Sequence, residues 1–379
     1  MKESTTREVF PDQLRGLALI GIAVVNAAFL GISVDGYTQQ SIVGWENMAA
    51  MFTVITFAEG KFYLLFSFLF GYSASFILRD HSPTSRKRYL RRLLGLFLFG
   101  IVHAVFFFSG DILITYSILG VLLFLLSRSS NLVLKKWVIV SAAVAVTLTV
   151  SITTLGALFP EEDSGLGQLQ TALEIGTFWD AACLRLETLP VFLTLLFLVQ
   201  GPMAFVAFLL GLLASRQRLL AVPSRHHTFW KNCAMWGWSI GLPLQVAAAI
   251  MQVTATVNGN PTSSLALFGL ALSLLSAPIL SAGYLGSIAL TLKMFPRGFA
   301  FLAPAGRMSL SVYLGESILL SFVFAGYGLG LMGQWGALEV TLASIAAWGA
   351  LSVFAWFWMK KFKQGPFEIM LSIISGKRS

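Results

Sequence analysis

Apolar residues dominate ten long stretches of this chain, and most of the charged residues fall in the segments between them. A helix needs about 20 residues to cross a hydrocarbon core about 30 Å thick. By that ruler the stretches are residues 14–33, 61–78, 91–109, 111–127, 137–159, 189–213, 232–256, 264–292, 308–326 and 337–359. The pattern predicts an all-α fold, a polytopic membrane helix bundle of about ten transmembrane helices. It reads as a single domain over residues 1–379, with five helices in 1–159, an outer segment at 160–188 and five more helices in 189–379. No motif recurs between the halves. Trp45, Met48, Phe52 and Ile55 follow a helical period and predict an amphipathic helix lying in the outer interface. Leu166, Leu169 and Leu173 predict another, after the acidic run Glu161, Glu162 and Asp163. Pro202, Pro243 and Pro278 predict kinks in the sixth, seventh and eighth spans, because each removes a backbone donor.

Composition agrees with a membrane protein: 56% of residues are hydrophobic and 11% charged, with a mean hydropathy of +0.79. A soluble domain would carry about a quarter charged residues. The net charge of +9 changes the picture through its distribution. If the N-terminus is cytoplasmic, 24 of the 26 Lys and Arg residues fall in cytoplasmic segments and only Lys61 and Arg185 fall outside. The positive-inside rule then predicts both termini in the cytoplasm and an even number of spans. The basic residues face anionic lipid, and nothing further speaks for nucleic acid. Cys183 and Cys233 are placed on opposite sides and cannot pair. The first apolar stretch, opened by Arg15, reads as a retained helix and not a cleaved signal.

Within the apolar stretches sit a few groups that hydrocarbon rejects. An ionisable residue at membrane depth points to a functional site and faces a bundle interior or a watery cavity. Glu59 and Lys61 stand at the entry to the second span, His103 lies deep in the third, and Asp111 follows a tight turn after it. Glu316 lies near mid-membrane in the ninth span, adjoining a stripe of Ser309, Tyr313 and Ser317. Four polar residues have a plainer alternative. Lys61 can snorkel to the headgroups, Asp111 can cap the fourth helix, Asn26 can be packing glue between helices, and His103 can be a structural histidine. The cluster Arg86, Lys87, Arg88, Arg91 and Arg92 is either topogenic or the rim of a site for a phosphorylated cytosolic molecule.

Five stretches in order, DQLRGLALIGIAVVN from Asp12, GKFYLLFSFLFG from Gly60, GIVHAVFFFSGDILITYSILG from Gly100, GRMSLSVYL from Gly306 and KKFKQGPFE from Lys360, resemble the YeiB-like bacterial membrane proteins. That family is grouped with transmembrane acyltransferases, among them heparan glucosaminide N-acetyltransferase and the acyltransferase-3 proteins. The resemblance implies a bacterial cytoplasmic (inner) membrane protein that moves an acyl group, acetyl first of all, from cytosolic acyl-CoA to an envelope sugar or glycolipid, for example a trehalose glycolipid, at the outer face. The acyltransferase-3 pattern has an Arg followed eleven residues on by a catalytic His; here Arg15 matches and Asn26 stands in the His slot. The lysosomal enzyme has Asn there and its His another eleven residues on, where this chain has Tyr37.

The base must therefore come from elsewhere, and His103 is the intramembrane candidate. In this reading Arg15, Arg92 and Arg307 hold the phosphates of acetyl-CoA, and its arm threads past Ser309 and Tyr313. His103 is the general base, with Asp111 as its natural orienter and Glu59 or Glu316 as alternative partners, and Lys61 and Asn26 stabilise the oxyanion. Along a continuous helix His103 and Asp111 would be about 12 Å apart, so their contact requires the turn to fold back. No metal is expected, and a homo-oligomer is compatible with such a bundle. The alternative is a secondary transporter or flippase in which the buried charges couple protons.

Overall fold

The computed structural model describes residues 9–78, 82–159, 166–295 and 298–376. The acidic run Glu161 to Asp163, the N-terminal tail and Arg79 lie outside the described residues. Among those residues every regular element is helical. The first half contains α1 (Val9–Gly31), α2 (Trp45–Phe57), α3 (Lys61–Ile77), α4 (Pro83–Phe106), α5 (Leu113–Leu126) and α6 (Asn131–Leu158). Then come α7 (Gly167–Ile175), α8 (Phe178–Leu195), α9 (Gly201–Arg216), α10 (His227–Trp236), α11 (Leu242–Val257) and α12 (Ser264–Met294). The chain closes with α13 (Ala303–Arg307), α14 (Ser309–Phe324), α15 (Ala337–Lys361) and α16 (Pro366–Ile374).

Eight helices among the described residues are long and apolar enough to cross a membrane, which makes this a helical membrane-type bundle. A ninth candidate is α13 and α14 taken together, bent by 81° at Met308, and α5 is a shorter apolar helix. The ten apolar stretches fall on these elements. Several details differ from the sequence expectation. The ninth stretch is broken at its start, so α14 begins its N-terminus inside the bundle. The segment 160–188 contains, among its described residues, α7 and the first turns of α8, which runs on with α9 as one apolar unit from Phe178 to Arg216.

The prolines are absorbed without breaking their helices. A π-helical turn, Leu196–Gln200, precedes Pro202, and a second, Gly237–Gly241, precedes Pro243; a wider turn accommodates the missing donor. Pro278 sits inside α12. Helix α2 has an exposed face of Trp45, Ala49, Thr53 and Phe57 and a buried one opposite. Trp45 is exposed, and the buried face is Ala50, Met51, Val54, Ile55 and Ala58, packed against α11 and α15.

Helices α3 and α9 approach closely, backbone to backbone. A Cβ on Gly71 would fall 2.0 Å from the carbonyl oxygen of Phe208, and one on Gly211 would fall 2.0 Å from that of Phe68. Small residues at a helix interface let backbones meet in this way, and van der Waals contact then holds the pair. This packing supports the cavity wall carried by α3. Gly71→Val is expected to cost more than the roughly 1–3 kcal/mol of ordinary overpacking, because the atoms it meets are backbone. The check is the loss of the monodisperse peak on size-exclusion chromatography in detergent; a normally folded variant would contradict the reciprocal contact.

Candidate functional site

The last turn of α4 carries His103, which is 2% exposed. The helix ends at Phe106, and the amides of Phe107 and Phe108 both bond the carbonyl of His103. The chain then reverses through Ser109 and Gly110 and brings Asp111 back against the helix it has just left. His103 Nδ1 stands 2.6 Å from Asp111 Oδ2. The same carboxylate accepts on Oδ1 from the backbone amides of Leu113 at 2.7 Å and Ile114 at 3.3 Å, at the start of α5. Capping and histidine orientation are thus both performed by Asp111, one oxygen for each.

Helix α14 supplies a third member. Tyr313 donates its hydroxyl to Asp111 Oδ2 at 3.2 Å and accepts from the Ile112 amide at 3.4 Å. Its ring lies 5.3 Å from the imidazole. A neutral imidazole that donates Nδ1–H to Asp111 has its lone pair on Nε2. That Nε2 is buried and has no hydrogen-bond partner among the described residues. Glu316, one turn beyond Tyr313, is also buried, with Oε1 unpartnered.

Below this triad opens a cavity of about 980 Å³, at the upper end of the roughly 300–1,000 Å³ range of small-molecule sites. Tyr313, Ile112 and Leu113 line it, so the cavity wall and the His103 partner are bonded to each other. Its inner walls are apolar and aromatic, with Phe66, Phe70 and Tyr116 among them. Six cations line the remainder: Arg15, Arg88, Arg92, Arg218, Arg307 and Lys363. Two carboxylates accompany them, Asp12 and Glu368. Arg15 pairs with Asp12 at 2.7 Å and also donates to Ser73; Arg307 Nε is 3.9 Å from Asp12. The surplus of cations suits a ligand with more than one negative charge.

All five residues expected to hold a donor, Arg15, Arg92, Arg307, Ser309 and Tyr313, line this one cavity. His103, Asp111 and Tyr313 are joined by hydrogen bonds. Asn26 lies one helical turn beyond Ile22, which lines the cavity. Lys61 is elsewhere. Its ammonium donates to the carbonyl of Ile55 at 2.6 Å and to Gln245. Gln245 bonds Ser276 at 2.8 Å, and Ser273 donates to Glu59 at 2.9 Å and to Gln245 at 3.2 Å. This is a second buried polar network, between the α2–α3 turn, α11 and α12. At Tyr37, in the slot of a catalytic histidine by resemblance, burial first and the Glu59 carboxylate second push the hydroxyl well above the ordinary phenol range.

Sequence reasoning missed two contributors. Glu368 of α16 accepts from the amides of Leu310 at 2.7 Å and Ser311 at 3.2 Å, capping the broken start of α14. It lies in the KKFKQGPFE stretch, which the resemblance had already marked. Arg185 is buried at 2% exposure and donates to the Phe106 carbonyl at 2.9 Å, the last residue of the helix that carries His103. A helix C-terminus favours a cation there.

Residues 214–375 match a family described as a protein of unknown function (DUF418). The chain is similar to the uncharacterized protein YxaH of Bacillus subtilis (strain 168), with 29% identity over 94% of this chain and 91% of that protein. It is similar to the uncharacterized protein YeiB of Escherichia coli (strain K12), with 26% identity over 96% and 94%. No solved structure matches. The likeness to YeiB carried by the five sequence stretches therefore extends over nearly the whole chain, and the DUF418 segment takes in Arg218, Arg307, Tyr313 and Glu368 of the cavity wall.

Proposed function

We propose that this protein is a membrane-bound O-acyltransferase of the bacterial cytoplasmic membrane, taking an acyl group, acetyl first of all, from cytosolic acyl-CoA to an envelope sugar or glycolipid at the outer face. The observation that carries the reading is a basic cavity walled by Tyr313, whose hydroxyl donates to the same Asp111 that holds His103, a buried histidine whose Nε2 has no partner among the described residues. The cations come from segments that the charge segregation assigns to the cytoplasm, where the donor is found. Arg15, Arg92 and Arg307 bind its phosphates. Ser309 and Tyr313 line the way of the pantetheine arm towards His103.

His103 Nε2 takes the proton of the acceptor hydroxyl while that oxygen bonds to the thioester carbonyl carbon. The tetrahedral adduct collapses, the carbon–sulfur bond breaks, and the departing thiolate takes the proton from the imidazolium. Asp111 fixes the tautomer and stabilises the charged ring, the role a buried carboxylate plays beside a general-base histidine. Lys61 is left out of this scheme, since its ammonium already serves two acceptors in the second network.

The test is transfer or hydrolysis of radiolabelled acetyl-CoA by the purified protein, offered a panel of envelope sugars and glycolipids. Turnover is expected. Protein that turns over no acetyl-CoA with any acceptor and yet moves a solute into liposomes would overturn the enzyme reading. It would favour the second one, a transporter or flippase. The network of half-buried Glu59 with buried Ser273, Gln245 and Lys61 supports that alternative, since it places ionisable groups in the bundle away from the cavity.

A further inference from the structure

Arg218 is the one non-glycine residue with a positive φ among the described residues, at +54°. It ends α9 in a fully formed Schellman turn: the Leu219 amide bonds the Ala214 carbonyl at 3.0 Å, and the Arg218 amide bonds that of Ser215 at 3.0 Å. In this turn the left-handed position is usually glycine, because a Cβ crowds the following carbonyl there. The fold gives no reason for an arginine at this place. The flanking Ala214 and Leu219 are buried in a cluster with Trp230, whereas the Arg218 side chain is exposed and lines the basic cavity. Its neighbour Arg216 behaves differently, donating to the carbonyls of Ser127 at 2.8 Å and Ser129 at 2.9 Å and to Asn131 at 2.7 Å. Arg15 and Arg307 share Asp12, but the Arg218 side chain makes no hydrogen bond or ion pair among the described residues.

We propose that Arg218 is a phosphate-binding residue of the basic cavity, and that arginine occupies a glycine position there because its guanidinium is needed at the cavity mouth. The inference rests on the reading that this cavity holds a phosphorylated ligand. The guanidinium presents a planar fork of donors that matches two phosphate oxygens. The turn fixes the point from which the side chain springs, which lowers the cost of ordering it on binding.

The experiment compares full-length wild type, Arg218→Gly, Arg218→Lys and Arg92→Gln in detergent. Coenzyme A binding is measured by calorimetry with unphosphorylated pantetheine as control, and thermal unfolding is followed in parallel. Arg218→Gly is expected to weaken coenzyme A binding about tenfold or more, the loss of a hydrogen bond to a charged group. Its unfolding temperature should stay unchanged or rise by about 2 °C, since the strained position is relieved. Arg218→Lys should bind with intermediate strength. If wild type prefers coenzyme A no more than pantetheine, the phosphorylated-ligand reading itself falls. If wild type binds and Arg92→Gln weakens it while Arg218→Gly binds normally, this inference alone falls. A drop of several degrees for Arg218→Gly overturns it too, because the arginine then serves the fold. Unchanged coenzyme A binding with weaker association to phosphatidylglycerol vesicles assigns the side chain to lipid and equally overturns it.

Discussion

His103→Ala is expected to lower the rate of acetyl transfer from acetyl-CoA by about 10²–10⁴-fold, the usual contribution of a positioned general base. The imidazole is the only ring in the cluster with an unprotonated nitrogen to offer, since Asp111 accepts at Nδ1 and Nε2 has no other partner among the described residues. Asp111 cannot replace it as the base. One of its oxygens is committed to the amides of Leu113 and Ile114 and the other to His103 and Tyr313. The alanine variant leaves a buried carboxylate short of one hydrogen bond, at a cost of about 1–3 kcal/mol. A loss of fold could then imitate a loss of chemistry. His103→Asn separates the two, because its amide can still donate to Asp111 but offers no nitrogen lone pair. It is expected to lose as much activity as alanine while keeping a near-normal unfolding temperature. Near wild-type turnover by His103→Asn would remove the histidine from the mechanism.

What could be read from the chain follows what is local in it. The apolar stretches are local, and they reveal the bundle. His103, Asp111 and Glu316 are visible because a polar group inside an apolar run is visible at any fold. The basic cavity was legible through the segregation of charge, since residues gathered on one side of a membrane can gather in one site. Lys61 was misplaced because its partners are the Ile55 carbonyl and Gln245, the latter 184 residues away. A sequence shows that a lysine is out of place but not which acceptors satisfy it. The break at Met308 was hidden for a related reason. No proline stands at the bend, and the cap of the exposed amides comes from Glu368, in a different helix.

The cluster also depends on a residue that has no side chain. Gly100 lies three residues before His103, on the face of α4 that meets the returning turn. A Cβ there would fall 2.8 Å from Asp111 Oδ1, 2.9 Å from the Ile114 amide nitrogen and 2.7 Å from Ile114 Cγ1. In a helix interior, Gly→Ala is ordinarily favourable by roughly 0.5–1 kcal/mol, which offsets part of the cost of the shift that these contacts force. The effect of Gly100→Ala falls on the carboxylate. Asp111 is tied to α5 by two amides and to α14 by Tyr313, so any retreat from the new methyl group lengthens the 2.6 Å contact with His103. Misplacement of a catalytic group by about 1 Å can cost about 10²-fold in rate. Gly100→Ala is therefore expected to reduce kcat for acetyl transfer by about 10²-fold and to leave coenzyme A binding intact, since the cations at the mouth of the cavity do not touch it. A variant with full kcat would show that the His103–Asp111 distance does not govern the reaction. One that loses coenzyme A binding and kcat together would mean that the bend between α4 and α5 supports the whole cavity and not the cluster alone.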